Sequence, residues 1–579
     1  MNPDPATTRP PFQASGDRTP GSSSAPLTAP PSDGRSWMTG LAFAVLAIPF
    51  AVILVRFLIA SGQHIYLPDD LALIDLHTRE ALRWRQQLGV FDHNNWNHPG
   101  PSYFYLLSLS YRVLGSGARA EYFGATLINA LAALACVGVV RRRSTPARAL
   151  WAAVWVGVLA ATLAVTGPGT MTYSEGGLGA LVSPWNPMVV ILPLLLFAVL
   201  CASAVDRSTL SLVGALLVGS FIVQTDVSTL PVVAVLGAAA AVTWLVTLVV
   251  DRRGSPRSDR PRSSRWWVAA GLVVVAAMWT PPVIQQFSNH PGNFTLIYRF
   301  FTSGKPGQTF HAALWSVAAV NGVLVEGPSE VMHSVLGGPP SHSTLAVGVW
   351  IAVLVIGAGV AIVGVRQRAR FAAALGALSV VGGMATVLAV THVIGLIFGY
   401  LVAWEIALPI AALIGLGVVR WEWPAGAGRR PAVRSTLPLR LALGVVAVLV
   451  GVVLTVRVVA IPALSTVSDP TVAKLDALVA PALSHQQSVF VGDNGVQPLL
   501  LGVEQFIGLV NQLDQQGYHP KVNTAWRAQF GDGYLASGHE PASVQLSPWS
   551  ETAARLPGYA GRVGNIAVVI TFSTQPANG

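Results

Sequence analysis

Charge is scarce in this chain. Asp, Glu, Lys and Arg make up 11% of its 579 residues, against roughly 25% in an average soluble domain, which excludes a soluble cytosolic enzyme with a conventional solvated surface. Cysteine is nearly absent. Only Cys136 and Cys201 occur, each within a long apolar run, so neither a disulfide framework nor a cysteine-based metal site is available. Lysine is reduced to Lys305, Lys474 and Lys521. Also missing are a Gly-rich phosphate loop, a zinc motif and a serine-nucleophile motif. The Gly-containing runs lie within or beside apolar spans, where small residues serve helix packing. The net charge of +10 does not signal nucleic acid, because the arginines sit in short clusters between apolar stretches rather than along one soluble face.

What is abundant is apolar surface, at 52% of residues. A membrane-crossing helix needs about 20 apolar residues, and the chain supplies such lengths repeatedly. Candidate spans run near 37–60, 119–140, 150–166, 186–205, 209–225, 229–250, 266–282, 343–365, 371–391, 394–419 and 441–461. The sequence therefore predicts an all-α polytopic membrane protein of about eleven spans. Arg56 and Arg457 lie near enough to span ends to snorkel. Residues 1–36 are rich in Pro, Ser, Thr and Gly without apolar period, and read as a disordered cytoplasmic tail. The segment after them is too long and too far along for a cleaved signal peptide.

The positive-inside rule tests this layout. With an internal N-terminus, the clusters at Arg141–Arg143 and Arg148, at Arg207, from Arg252 to Arg265, from Arg366 to Arg370 and from Arg420 to Arg440 all fall on the cytoplasmic side. The transmembrane module then covers 37–462, with outer loops 61–118 and 283–342. Residues 463–579 form a small extracytoplasmic α/β domain. There, Val489–Val491, Val522–Trp526 and Ile566–Phe572 are β-like, and Val496 to Gln516 has helical spacing. That domain carries five basic against eight acidic residues, unlike the basic inner loops. The layout places the protein in the plasma membrane, multi-pass.

The first outer loop holds the richest chemistry. Asp69-Asp70 follows the first span directly, at the depth of a lipid phosphate. Leu71, Ile74, Ala81, Leu82 and Leu88 then approximate one apolar face, opposite Asp75, Arg79, Glu80 and Arg83, as in a helix lying in the interface. The plain alternative is that Asp70 caps that helix and Asp69 is a solvated neighbour. Further on, Trp96-Asn-His-Pro-Gly-Pro leads into the aromatic run Tyr103 to Val113, able to dip back into the interface.

These elements resemble the GT-C superfamily of membrane glycosyltransferases, which includes aminoarabinose transferases, protein O-mannosyltransferases and actinobacterial arabinofuranosyltransferases. An acidic pair opens the first outer loop in that superfamily, an interfacial helix follows, and then comes a Pro-containing, Tyr-rich segment. Asp69-Asp70 and Pro99-Gly-Pro-Ser-Tyr-Phe-Tyr look like the two motifs, in order. In specific residues the likeness covers about 65–113, and His98-Pro-Gly-Pro stands where several members carry Lys-Pro-Pro, so no phosphate-contacting lysine carries over.

The resemblance implies an inverting transfer of a sugar from a polyprenyl-phosphate donor to an envelope glycan, lipid or protein acceptor in cell wall biogenesis. Asp69 or Asp70 then serves as general base, the first of the pair being the usual choice by resemblance. The two carboxylates could instead share a divalent cation, Mg or Mn; metal use stays open. Candidates for the leaving phosphate and substrate are Arg79, Arg83, His98, Tyr103, Arg299, Lys305 and His311. Trp185, Asn186, Gln224, Asp226, His392 and Glu405 are candidate cavity-lining residues. For Arg299 and Lys305 an aromatic belt with snorkelling cations competes, and for Trp185 and Asn186 a helix start at Pro187 does. The tetrapeptide Asn-His-Pro-Gly recurs at 97–100 and 289–292; common span-end turns account for both copies. Glu405 falls near the middle of the tenth expected span, where a charge faces a cavity or a partner. That leaves a second class open, a transporter or lipid flippase coupled through Glu405. No matched pair of broken helices supports it.

Overall fold

The computed structural model describes residues 33–60, 64–165, 178–254, 263–326, 343–419, 437–484, 487–494 and 502–573. The tail at 1–32 and the arginines from Arg420 to Arg434 lie outside the described residues. Among those described, nine helices are long and apolar enough to cross a membrane, and the chain is a multi-pass membrane protein. They are Trp37–Ile59, Ala118–Arg143, Pro146–Leu163, Asn186–Val205, Val227–Val250, Trp266–Ser288, Thr344–Arg366, Arg370–Val390 and Leu437–Ala460.

Of the two expected spans outside these nine, one has its expected bounds and one is shorter. Thr209–Thr225 is a 17-residue helix. The stretch expected as one span over 394–419 is irregular at first and then forms two short 3-10 turns, Gly399–Leu401 and Ala403–Ile406, from which the 12-residue helix Ala407–Val418 continues. Glu405 therefore stands at a helix start and not in mid-span. A third apolar helix, Phe310–Glu326, occupies part of the segment read as outer loop 283–342. It packs on Thr344–Arg366, and Asn321 within it donates to Glu405 Oε2 at 2.7 Å.

The Arg56 guanidinium donates to Val458 O, Val459 O and Ile461 O at 2.8 to 3.0 Å, holding the carbonyls that end the last span. Arg457 likewise donates to Ala161 O at 2.9 Å.

Two short helices lie between the first two spans. α1, Asp69–Leu82, begins after Pro68, and α2, Ser102–Leu114, begins after Pro101. Proline fixes φ without losing a needed N–H at these starts. α2 packs on α1 and on Ala118–Arg143 with its buried Tyr103, Phe104 and Leu107, while Leu106, Leu109 and Val113 stay exposed on its other side.

α1 departs from expectation. It is buried on nearly every face, from Leu71 to Arg79 and again at Ala81. Its polar face is turned onto α4, Val503–Gln515, of the C-terminal domain. Periodicity reveals a polar face but not whether water or protein covers it.

The C-terminal domain is α/β, as expected. Its five-stranded sheet has the order β2-β1-β3-β5-β4, with β1 Ser488–Asp493, β2 His519–Lys521, β3 Ala542–Pro548, β4 Tyr559–Val563 and β5 Ile566–Phe572. β1 runs parallel to β2 and β3, and α4 supplies the crossover that the parallel β1–β2 pair requires. Val522–Trp526 is not a strand. Val522 forms one bridge to Leu535, and Thr524–Trp526 turns as a short 3-10 helix.

The helix α3, Pro470–Val479, opens the domain, capped by Asp469, whose Oδ1 accepts from Thr471 N at 2.6 Å and Val472 N at 3.1 Å. The domain is stitched to the first loop where Asp469 N donates to Tyr66 O at 2.8 Å and Tyr66 N to Ser468 Oγ at 3.1 Å. Gly508 permits this approach: a Cβ there would lie 2.8 Å from Leu67 O.

Candidate active site

The acidic pair opens α1 but does not cap it. The capping position belongs to Pro68, and no side chain there accepts an N–H. Asp70 Oδ2 instead accepts from Trp185 Nε1 at 2.9 Å, joining the first loop to the turn before Asn186–Val189. Burial pushes the half-buried Asp70 carboxyl above the usual carboxylate range. The Trp185 bond opposes that push, the charge of Asp92 adds to it, and His98 and His93 pull the other way. Asp69 sits at φ +46°, in the left-handed region that non-glycine residues seldom occupy.

Trp185 is fixed from two sides. Its ring packs on Tyr400 with centroids 4.8 Å apart. The Tyr103 hydroxyl donates to the carbonyl of the preceding residue, Pro184. Tyr400 in turn lies within electrostatic reach of Asp70, Asp92 and Asp226. Asp226 is buried and accepts from Ser228 N at 3.0 Å through Oδ1.

His98 forms the next part of the wall. Its Nδ1 accepts from Val227 N at 3.0 Å, and its Nε2 lies 3.1 Å from the Asn186 amide. Both ring nitrogens of His98 are thus engaged within the protein. Trp96 stands edge-on to it, with centroids 5.5 Å apart, and touches Phe300 and Phe301 of the helix Asn293–Phe301. The Trp96 Nε1 is buried without an acceptor among the described residues.

The structure thus brings together Asp70, Trp185, Asn186, His98 and Asp226, and adds Asp92, His93, Trp96 and Tyr400, which sequence reasoning did not select. Asp92 and Trp96 lie on a two-strand hairpin, Phe91–Asp92 with Trp96–Asn97. Its only signal in the sequence was the aromatic and asparagine content of 91–97.

Several expected site residues are placed elsewhere. Arg79 has its guanidinium engaged within the protein. It pairs with Asp75 and with Asp514 Oδ2 at 2.9 Å, and donates to Asn511 Oδ1 at 2.8 Å, all buried between α1 and α4. Arg83 is exposed, pairs with Glu80 at 2.7 Å, and lies about 20 Å along α1 from Asp70 at 1.5 Å per residue. Tyr103 and Gln224 are structural. Gln224 Oε1 accepts from Ser102 N at 3.3 Å, and its Nε2 donates to Met278 O at 3.1 Å. Gly100 permits that contact, because a Cβ would lie 2.5 Å from Gln224 Oε1.

His392 is exposed and bonds its own turn at Leu388 O. His311 accepts from Trp315 Nε1 at 2.8 Å. Arg299 and Lys305 are exposed, and neither forms a salt bridge among the described residues. Glu405 is buried against Asn321.

The two Asn-His-Pro-Gly turns do meet. Asn293, the residue after the second copy, accepts from Asn97 N at 2.9 Å and donates to Asn97 O at 2.7 Å. Coincidence in the sequence is contact in the fold. Among the described residues no three His, Cys, Asp or Glu side chains gather as a metal cluster.

A bundle of apolar spans, two short helices after the first span, and a sheet domain stacked on them define a multi-pass membrane protein with an α/β domain on one side. No protein-family model matches the chain, and no curated protein does. Among solved structures, ArnT from Cupriavidus metallidurans bound to undecaprenyl phosphate is similar at 14% identity and TM-score 0.50, over 91% of this chain and 98% of that chain. Its apo state is similar at 14% identity and TM-score 0.51, over 92% and 98%. The chain therefore has the ArnT fold, the architecture that the acidic pair and the Pro-Gly-Pro segment led one to expect. A mycobacterial arabinofuranosyltransferase, AftD, aligns over 77% of this chain and 29% of that chain at 16% identity and TM-score 0.30, too slight a likeness to carry weight.

Proposed function

We propose that this protein transfers a sugar from a polyprenyl-phosphate-linked donor to an envelope glycan, lipid or protein acceptor on the outer face of the membrane, with Asp70 as general base. The observation that carries the reading is the Asp70 carboxylate held by Trp185 at the head of the first loop of an ArnT-like fold. The ArnT structure holds undecaprenyl phosphate, a lipid of the donor's class. On the eleven-span reading of the sequence the arginine clusters fall on one side, which supports a cytoplasmic N-terminus and an outer site.

In the proposed reaction the acceptor hydroxyl attacks the anomeric carbon as its proton passes to Asp70. The bond from that carbon to the phosphate oxygen breaks, the configuration inverts, and polyprenyl phosphate leaves. A base works best with a pKa near the operating pH, which favours Asp70, whose carboxyl burial raises. Trp185 holds Oδ2, so Oδ1 remains for the acceptor proton.

The leaving phosphate needs donors. Trp96 Nε1 is a buried N–H without an acceptor, and Arg299 and Lys305 follow on the adjoining segment, available to a headgroup at the rim. A Mg or Mn ion held by Asp70 and Asp92 would be the competing use of the same carboxylate.

The test is to replace Asp69 and Asp70 singly with Asn in liposomes and follow transfer from a polyprenyl-phosphate sugar. Wild-type turnover in Asp70→Asn overturns the base assignment, and energised uptake lost only on changing Glu405 points to a transporter.

A further inference from the structure

Tyr400 reaches the reaction site from a segment that no long helix carries. The chain from 399 to 406 folds as two consecutive 3-10 turns, Gly399–Leu401 and Ala403–Ile406. Hydrogen bonds in a 3-10 turn are poorer in geometry than those of an α-helix, so such a turn depends on what it packs against. Tyr400 lies on the first turn. Its ring stacks on Phe398 with centroids 5.5 Å apart and packs on Trp185 at 4.8 Å. The second turn packs against Asn186–Val189 and Ile191–Val205, the helices that follow Trp185.

Two buried side chains fasten that second turn. Trp404, 1% exposed, donates from Nε1 to Ser228 Oγ at 3.0 Å, and Ser228 N donates to Asp226 Oδ1 at 3.0 Å. Glu405, also 1% exposed, accepts from Asn321 Nδ2 at 2.7 Å through Oε2. The Asn321 amide is itself fixed, because Nδ2 also donates to Val317 O at 2.9 Å, one turn back in the helix Phe310–Glu326. Glu405 forms no salt bridge among the described residues, and the Asn321 amide is its partner. What this tie requires of residue 405 is an oxygen acceptor at the right reach.

We infer that Glu405 is a positioning residue for the proposed transfer: tied to Asn321, it fixes the turn that sets Tyr400 against Trp185, whose indole holds the Asp70 carboxylate. The catalytic consequence rests on the transferase reading; the placement of Trp185 does not. Glu405 acts as an acceptor and not by titrating, which separates this role from that of a coupling carboxylate in a transporter.

The experiment labels the full chain with fluorotryptophan in detergent and follows the fluorine NMR signal of Trp185, assigned by its loss in Trp185→Phe. Glu405→Gln keeps an oxygen for Asn321 Nδ2 and is expected to leave the signal, kcat and acid limb of the pH–rate profile near wild type. Glu405→Met has a similar volume and no such acceptor. Its Trp185 signal is expected to shift or broaden, and its kcat to fall by about 10–100-fold, as a misplacement of about 1 Å remote from the chemistry can do. Its acid limb is expected to move to higher pH as the indole bond to Asp70 loosens. The other titratable groups around Asp70, namely Asp92, His93, His98 and Tyr400, are the same in every variant. In the Trp185→Phe background Glu405→Met is expected to move the acid limb no further, because its route runs through that indole. The double variant Asn321→Leu/Glu405→Met removes both partners, a change that is nearly neutral for stability, and is expected to move the Trp185 signal in the same way without a fall in Tm.

An unmoved Trp185 signal in Glu405→Met and in the double variant overturns the inference. So does an equal loss of kcat in Glu405→Gln and Glu405→Met, or an equal movement of the acid limb with and without Trp185. A moved signal with an acid limb that stays in place in every variant, Trp185→Phe included, overturns the assignment of Asp70 as base and leaves the positioning of Trp185 standing.

Discussion

The indole of Trp185 donates to Asp70 Oδ2 at 2.9 Å, across 115 residues of chain. That bond favours the ionised carboxylate and so works against the upward push of burial. Trp185→Phe keeps the ring that packs on Tyr400 but removes the donor, so the Asp70 pKa is expected to rise further. A base acts only when ionised, so the acid limb of the pH–rate profile shifts to higher pH, and turnover falls more in acid than in mildly alkaline buffer. An acid limb that stays in place shows that Asp70 does not govern the rate.

Asp70→Asn removes the proton acceptor and keeps the shape. A loss of about 10²–10⁴-fold in kcat is expected from the usual size of general-base catalysis, with donor binding little changed. Asp69→Asn is expected to cost far less, because its neighbour holds the Trp185 bond. Single-turnover transfer from a lipid-linked sugar measures both, and equal losses would assign the pair a joint role.

Asp69 also carries a stability consequence. Its φ of +46° costs an L-residue about 1–2 kcal/mol, whereas glycine adopts it freely. Asp69→Gly is therefore expected to melt above Asp69→Ala, which loses the same side-chain contacts and keeps the strain. A fall of several degrees in a thermal melt would show that the Asp69 side chain holds α1 in place.

Much of this was legible in the sequence, and the reasons differ by residue. Span length and arginine placement disclosed the bundle, because crossing hydrocarbon demands about 20 apolar residues. The short helix at Ala407–Val418 was overextended because the apolar run 394–406 looks the same whether it is helical or folded as turns. Asp70 was visible from its position after the first span. Its partner was not, because pairing 70 with 185 is a tertiary fact that no local pattern encodes. Arg79 was misread for the converse reason. A helical face of Asp75 and Arg79 looks solvated until Asp514 and Asn511, more than 400 residues on, are seen to cover it.

Arg79 fastens the C-terminal domain to α1. Arg79→Ala leaves Asp75 and Asp514 buried together without their cation, a change that costs about 3–5 kcal/mol in such networks. The Tm is expected to fall sharply, while the donor KM of molecules still folded at low temperature stays near wild type. A raised donor KM with an unchanged Tm would instead return Arg79 to the substrate.

The paired turns give a separable test of how the wall beside Asp70 is held. Asn293 is 1% exposed and satisfies both the N–H and the C=O of Asn97, itself 7% exposed. Asn293→Ala leaves both buried main-chain groups unmet, at about 1–3 kcal/mol each. Asn293→Asp keeps an acceptor for Asn97 N but sets a carboxylate against Asn97 O, so it rescues only in part. Asn97 lies between Trp96 and His98, and loosening it lets both rings move. The donor KM is therefore expected to rise in Asn293→Ala, with a smaller rise in Asn293→Asp and little change in the acid limb set by Asp70. A lower Tm with an unaltered donor KM in both variants would confine Asn293 to stability, and would remove Trp96 and His98 from the surface that meets the lipid-linked donor.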